Sequence, residues 1–235
     1  MWSAPMQVPG VNSSSTEDDP SFTADRLTVV FTSNRTGNDE IFIGTRDDPD
    51  GDFTVALIDA LAAPSDEASP ELSPDGTTLF FISDRDGSDD IFIATRPAGG
   101  AFGTPTLIAE LSTSSSEGDI AISPDGLTTV IVRSGMFMRS TRPTTTDAWS
   151  NPIAITGVAF GTSPAAPSID AAGDLYFHAG SNRDLFVARA QGASYAPPAP
   201  ISELVSSSRE SGPCVSPDES FMMFARGGQI VQSTR

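Results

Sequence analysis

The sequence has 235 residues, enough for one large all-β domain or two small domains. Its formal net charge of −18 argues against nucleic acid, because phosphate contacts need clustered basic side chains. No apolar run approaches the roughly 20 residues that span a bilayer, which argues against membrane insertion, and the first residues lack the charged and apolar regions of a signal peptide. The single cysteine, Cys214, excludes an intramolecular disulfide, so the fold must depend on packing.

Five repeats follow one another along the chain. Each contains, in order, an aromatic residue, an aliphatic residue and an acidic anchor, followed by an apolar residue and a turn. The aromatic residues are Trp2, Phe53, Phe102, Trp149 and Tyr195, and the aliphatic residues are Val11, Leu61, Leu111, Val158 and Leu204. The acidic anchors are Glu17, Glu67, Glu117 and Glu210, and Pro164 takes the anchor position in the fourth repeat. Successive anchors lie 46 to 50 residues apart, the spacing expected of four-stranded propeller blades.

After each anchor the sequence predicts strands separated by turns. The turn reads Ser-Pro-Asp-Gly at 73–76 and 123–126, and two apolar runs flank a polar hairpin, as at 79–82 and 91–93. Short bulky runs bounded by Gly, Asp and Pro are typical of buried strands. We therefore predict an all-β fold of five blades, each with four antiparallel strands. One domain spans 1–235, with blades at about 20–62, 70–112, 120–159, 167–205, and 213–235 plus 1–12.

The two ends of the chain predict how the ring closes. The chain starts with an aromatic-to-aliphatic strand, from Trp2 to Val11, and stops after the third strand of its last repeat, at 229–234. The first strand should therefore complete the last blade. Such pairing would shield both edge strands without a disulfide.

The segment 73–96 resembles the WD40-like PD40 repeat of TolB-type propellers. Residues 29–46 repeat its pattern, whereas Arg133-Ser134-Gly135 replaces the hairpin of the third repeat and 170–173 replaces the turn of the fourth. The resemblance implies a bacterial protein that is periplasmic or secreted and that holds other proteins. It implies no reaction, because blade repeats specify architecture and function belongs to individual sites.

The repeated glutamates are the first candidate site. Glu17, Glu67, Glu117 and Glu210 are expected around one mouth of the channel, where they could bind Ca²⁺ or a basic partner. In the alternative, each carboxylate accepts hydrogen bonds and joins neighbouring blades. Their repetition at equivalent positions favours the alternative, because binding sites usually depart from symmetry.

Acidic residues that break the repeat are the second candidate site. Asp19 and Asp119 occupy one equivalent position, and Glu71 follows two positions further along in its own repeat. Together they could form the carboxylate site of a glycosidase-like enzyme, in which an acid and a nucleophile or base flank a sugar bond. The alternative for these residues is ordinary solvated loop charge.

Three further features are assigned structural roles. The segment 84–90 has the oxygen-bearing side chains of a calcium loop, but Thr95 stands where a bidentate Glu is required, so we predict a hairpin. His178 is the only histidine, which excludes a His-rich zinc site and favours an ordinary hydrogen-bonded residue. Cys214 is expected to be small and buried, since no histidine is paired with it in the sequence.

The sequence therefore favours a monomeric, non-catalytic binding propeller. Its expected ligand is a protein, peptide or glycan at the mouth formed by the four glutamates with Asp19 and Asp119, with Ca²⁺ as the candidate cofactor. No catalytic residue is assigned. Two alternatives stay open: a carbohydrate-active enzyme with its carboxylates in the funnel, and a scaffold domain, which predicts an exposed apolar patch.

Overall fold

The computed structural model describes all 235 residues and contains strands and turns but no helix. It accordingly has no helix that could cross a membrane. Twenty of its 22 strands form five separate four-stranded antiparallel sheets arranged as the blades of a propeller. The predicted fold class is confirmed.

The blades follow the chain in order. Blade 1 contains β2 (Glu17–Phe22), β3 (Thr28–Ser33), β4 (Glu40–Thr45) and β5 (Thr54–Leu57). Blade 2 contains β6 (Glu67–Leu72), β7 (Thr78–Ser83), β8 (Asp90–Thr95) and β9 (Thr106–Leu107). Blade 3 contains β10 (Glu117–Ile122), β11 (Thr128–Arg133), β12 (Met136–Thr141) and β13 (Ile153–Ala154).

Blade 4 contains β14 (Ala165–Ile169), β15 (Leu175–Ala179), β16 (Asp184–Ala188) and β19 (Ala199–Pro200). Between its last two strands lies an extra hairpin of β17 (Ala190–Gln191) and β18 (Ser194–Tyr195), which the sequence analysis did not anticipate. Blade 5 contains β20 (Glu210–Val215), β21 (Phe221–Arg226) and β22 (Gln229–Thr234), completed by β1 (Met6–Gln7). The innermost strands thus begin two or three residues before the predicted blade boundaries.

The ring closes through the first strand, as predicted. Met6 pairs with Gln232 and Gln7 with Val231 in antiparallel register. The Ser3 N–H extends the pairing by donating to the Thr234 carbonyl at 2.7 Å. Blade 5 therefore has four strands like the others, and its third strand has no open edge.

The hydrophobic core lies between adjacent blades. Between blades 1 and 2, for example, Val30 and Ile41 pack with Leu79 and Phe81, and each is at most 1% exposed. Complete burial of one such side chain contributes about 1.5–3 kcal/mol, so the repeated contacts hold neighbouring blades face to face. The aromatic residues that begin the fourth-strand segments are also buried at these junctions.

Candidate functional site

Two faces of the ring differ in the connections that they carry. At the hairpin face the innermost strands begin, and the hairpins 34–39, 84–89, 134–135, 180–183 and 227–228 join second to third strands. At the opposite turn face lie the turns 23–27, 73–77, 123–127, 170–174 and 216–220. The segment 84–90 is thus part of a hairpin, as predicted.

The repeated glutamates lie at the hairpin face but are completely buried. Glu67 accepts hydrogen bonds from the Ala63 N–H, from the Ser65 and Ser83 hydroxyls, and from Arg85 at 3.2 Å. The other three glutamates also accept a hydrogen bond from a preceding serine or threonine hydroxyl, and they have arginine partners at 2.7–3.0 Å: Arg35 for Glu17, Arg133 for Glu117 and Arg226 for Glu210. One oxygen of Glu210, Oε2, has no hydrogen-bond partner. All four glutamates are 0% exposed. These contacts favour the structural role, in which each carboxylate fixes the loop that enters its blade.

Blade 4 departs from this pattern, and its hairpin arginine contacts a different blade. Pro164 replaces the anchor glutamate, so this blade has no buried Glu–Arg pair of this kind. Its hairpin carries Arg183, which has a positive φ of 56°. The guanidinium of Arg183 lies 3.9 Å from the Asp18 carboxylate in blade 1. The lost anchor is thus accompanied by a basic side chain at the channel mouth.

The innermost strands carry a bulge where they meet the channel. Pairing with the second strand shifts register between Asp18 and Ser21 in blade 1, and at equivalent positions in the other blades. Asp19, Ser69, Ala166 and Gly212 share this position and have φ values between 47° and 54°. A Cβ on Gly212 would lie 2.7 Å from the Asp19 Cα, so glycine is required where blades 5 and 1 meet.

Asp19 and Asp119 are brought together across the channel, although they belong to blades 1 and 3. The Ser69 hydroxyl lies between them, 2.9 Å from Asp119 Oδ1 and 3.4 Å from Asp19 Oδ2. Asp119 also accepts a hydrogen bond from the Ala166 N–H, and Asp18 accepts one from Ser211 at 2.7 Å. We call Asp18, Asp19, Asp119 and Arg183 the mouth cluster.

The carboxyl groups of the mouth cluster resist ionisation. Burial raises the pKa of Asp119 to about 6, against hydrogen bonds that lower it. Burial also raises the pKa of Asp19 well above its usual range, and repulsion from Asp18 and Asp119 raises it further. Arg183 opposes these shifts, but a single guanidinium faces three carboxyl groups. A ligand that brings positive charge to this position would therefore be stabilised.

The space between these residues is small. The constriction of the channel, lined by Asp19, Ser69, Asp119, Ala166 and Gly212 with their neighbours, encloses about 20 Å³. A space of this size holds about one water molecule or ion. It can take the tip of a side chain but not a sugar ring.

His178 lies close to the mouth cluster, a placement that the sequence analysis did not predict. It is 7% exposed, and its Nδ1 has no hydrogen-bond partner, so the expectation of an ordinary hydrogen-bonded histidine is wrong for that atom. Burial and the positive charge of Arg183 lower the pKa of His178 to about 4. The imidazole is therefore neutral at pH 7 and adds no positive charge to the mouth.

One further acidic cluster, at the turn face, is neutralised by arginine. Asp170, Asp174 and Glu219 bring ligand atoms within 4.8 Å of one another, which is close enough for a metal ion. However, Arg189 donates to both Asp174 and Glu219, and Arg235 pairs with Glu219 as well. These ion pairs give the cluster a structural role at the turn face.

Comparison with known proteins identifies the fold but no family. Neither a protein-family model nor a curated protein matches the sequence, so the PD40 assignment remains a prediction. TolB from Acinetobacter baumannii aligns with 96% of this chain at 16% identity and a TM-score of 0.56, and the chain spans 56% of that protein. A gluconolactonase from Xanthomonas campestris aligns with 98% at 11% identity and a TM-score of 0.58, over 89% of its own chain.

A thermostable family-43 glycoside hydrolase aligns with 97% of this chain at 14% identity and a TM-score of 0.66, over 91% of its own chain. The propeller neighbours thus include TolB and enzymes. At these identities the likeness shows the fold alone, and any function must be argued from the residues of this chain.

Proposed function

We propose that this propeller is a non-catalytic binding module that recognises a basic segment of a protein or peptide at its hairpin face. The observation that carries the proposal is the convergence of Asp19 and Asp119 on a constriction of about 20 Å³, with Asp18 close enough to repel Asp19. One ammonium group, or one NH₂ group of a guanidinium, fits such a space and would relieve the repulsion among the carboxylates. The ligand backbone would then lie across the hairpin face.

The charge of the whole chain supports a basic ligand. A net charge of −18 creates a negative potential that attracts cationic partners and repels anionic ones. Every buried anchor glutamate already has an arginine, whereas the mouth cluster has three carboxyl groups for Arg183 alone. The mouth cluster therefore has fewer basic partners per carboxyl group than the anchors have, and we place the binding site there rather than on the anchor glutamates.

A setting in the bacterial envelope or outside the cell is part of the proposal. It is supported by the resemblance of residues 73–96 to TolB-type repeats and by the shared fold with TolB. We expect the module to act as a monomer. The exposed large apolar side chains are distributed over several blades: Met1, Met6, Leu107, Met136, Ile153 and Val205.

A carbohydrate-active enzyme is the second candidate. Asp19 and Asp119 both lie within reach of the Ser69 hydroxyl, so their nearest oxygens are at most about 6 Å apart, as in glycosidase pairs. The raised pKa of Asp119, about 6, suits a general acid. The small volume between them opposes this candidate, because a sugar must fit between the two groups.

Calorimetric titration with a matched pair of peptides tests the binding proposal. One pentapeptide carries a single arginine between glycines, and the other carries the uncharged isostere citrulline. We expect the arginine peptide to bind at least tenfold more tightly, and an Asp19→Asn/Asp119→Asn variant to lose that preference. The Asp52→Asn variant, which changes an exposed carboxylate in the loop between β4 and β5, should behave as the wild type.

Four outcomes would contradict the proposal. Equal affinity for the two peptides would remove the role of charge, and full affinity in the double variant would move the site elsewhere. Hydrolysis of an arabinose- or xylose-containing oligosaccharide that depends on Asp19 and Asp119 would favour the enzyme instead. Titration with CaCl₂ alone shows whether a divalent ion occupies the mouth cluster, and tight Ca²⁺ binding that excludes the arginine peptide would overturn the proposed ligand.

A further inference from the structure

A second cavity opens at the turn face, on the other side of the constriction from the mouth cluster. It has a volume of about 550 Å³, within the range of sites that hold drug-sized ligands. Its floor is formed by Ser21, Glu71, Ser168 and Cys214, which belong to four different innermost strands. From the floor the cavity extends between blades 2 and 3, where apolar side chains such as Phe80 and Ile93 line it.

The floor follows a repeated hydrogen-bond pattern. Side chains at equivalent positions of the innermost strands accept an N–H from the following blade: Leu72 donates to Ser21 at 2.9 Å, and Val215 donates to Ser168 at 3.1 Å. The Phe22 N–H is similarly directed at Cys214. These bonds join neighbouring blades around the axis.

Two of the five equivalent positions depart from this pattern. Ala121 has no side-chain acceptor, so it cannot serve the Ile169 N–H, which by strand alternation faces the channel like its equivalents. Glu71 is the one long side chain in the ring. Its Oε1 accepts the Ile122 N–H at 3.2 Å, and its Oε2 accepts the Ser21 hydroxyl at 3.0 Å. The floor thus holds a single carboxyl group, that of Glu71.

The charges around the cavity are almost all negative. Asp75 and Asp125 stand at its rim on the turns of blades 2 and 3. Arg142 also lines the cavity, but its Nε donates to the Gly126 carbonyl at 2.8 Å and its guanidinium stacks over Trp149. A carboxylate ligand would therefore meet repulsion, whereas an amine would meet Glu71 at the floor and carboxylates at the rim.

We infer that this cavity binds a small amine with an apolar body, whose ammonium group contacts Glu71 while the body packs between blades 2 and 3. This cavity opens at the turn face and the proposed peptide site at the hairpin face, and Glu71 and Cys214 line both the cavity and the constriction between them. The apolar walls supply most of the contact area, and the carboxylate supplies the preference for a cation. Burial raises the pKa of Glu71 to about 7, so the ammonium group also favours ionisation of that carboxyl.

Binding of 4-phenylbutylamine and of its neutral counterpart 4-phenylbutanol, followed by amide NMR, tests the inference. The amine should bind more tightly than the alcohol at pH 8 and shift the amide signals of Leu72, Ile122 and Ile169. Its affinity should fall about tenfold between pH 8 and pH 6, because the ionised fraction of a carboxyl with pKa near 7 falls tenfold. The alcohol should show no such change.

Glu71→Gln supplies the decisive variant, because the amide has the shape of the protonated carboxyl and can keep its contacts with Ile122 and Ser21. We expect it to remain folded and to bind amine and alcohol equally. The control is Glu110→Gln, the same substitution on an exposed residue, which should preserve the preference for the amine. The inference is overturned if the amine shifts other amides, if it binds no better than the alcohol, or if Glu71→Gln keeps its pH-dependent preference. An Asp19→Asn/Asp119→Asn variant that still binds the amine separates this site from the mouth cluster.

Discussion

Replacement of a buried anchor glutamate should destabilise the fold and leave ligand binding at the mouth intact. Glu67 is 0% exposed and accepts four hydrogen bonds, one of them from Arg85. In Glu67→Ala the guanidinium of Arg85 loses its only carboxylate and stays about four-fifths buried, with a side-chain exposure of 21%. Removing one partner from a buried pair costs about 3–5 kcal/mol, and the partial exposure of Arg85 places this variant near the lower limit.

A loss of about 3 kcal/mol corresponds to a fall of about 6–12 °C in melting temperature for a domain of this size. Glu67→Gln should lose less, because the amide oxygen still accepts hydrogen bonds while its NH₂ group faces donors. Urea unfolding followed by the fluorescence of Trp2 and Trp149 measures both changes. The exposed Glu110→Gln variant should leave the unfolding midpoint unchanged.

The result that would refute this reasoning is specific. If Glu67→Gln unfolds at the wild-type urea concentration and yet weakens binding of the arginine peptide, the anchor glutamates contact ligand and the buried pairs do not hold the blades. The same comparison at Glu117 provides a second test, because that carboxylate is also buried and contacts Arg133 at 2.7 Å.

Three further predictions concern single residues. Asp119→Asn should raise the melting temperature at pH 8 and lose that advantage as the pH falls from 6 to 4. The reason is that the native pKa of about 6 exceeds the usual value of 3.8, so the penalty for ionising this carboxyl disappears once it is protonated. An equal advantage at pH 4 would contradict this. Trp2→Ala should cost about 3–5 kcal/mol in urea unfolding, since Trp2 is 8% exposed in the closing blade, whereas Met1→Ala at 89% exposure should cost nothing measurable. Cys214 should react only slowly with a thiol reagent at pH 8 until the protein unfolds, because burial raises the pKa of this thiol although it lines the cavity; rapid reaction in the native state would contradict the raised pKa.

The fold could be predicted because its determinants repeat in the sequence. The aromatic residue that starts each fourth-strand segment, the anchor glutamate and the turn at 73–76 recur at nearly constant spacing, and each makes contacts within its own repeat or the next one. Closure by Met6–Gln7 followed from counting strands at the two ends. Residues that recur at constant spacing were thus sufficient to predict the five-bladed architecture.

The candidate site was only partly predictable, because its contacts join blades that are distant in sequence. Asp19 and Asp119 could be selected as departures from the repeat, but their meeting at Ser69 depends on a bulge that turns the innermost strands toward the axis. Arg183 was missed because its hairpin resembles the others, and its contact with Asp18 exists only in the closed ring. Its one sequence signal is Pro164, which removes the expected glutamate partner.

Residues that repeat in every blade and residues that differ between blades therefore have different roles in this chain. A cyclic array of equivalent blades places five equivalent residues around one axis, so any ligand that is not itself five-fold must be recognised through positions where the blades differ. At the hairpin face those differences are Asp19 and Asp119 against Ser69, and at the turn face they are Glu71 against Ala121. Asp119→Ala makes the blades more alike at the hairpin face, and Glu71→Ser does the same at the turn face. Each substitution should remove ligand recognition at its own face while leaving the buried glutamate–arginine pairs, and hence the blade arrangement, in place.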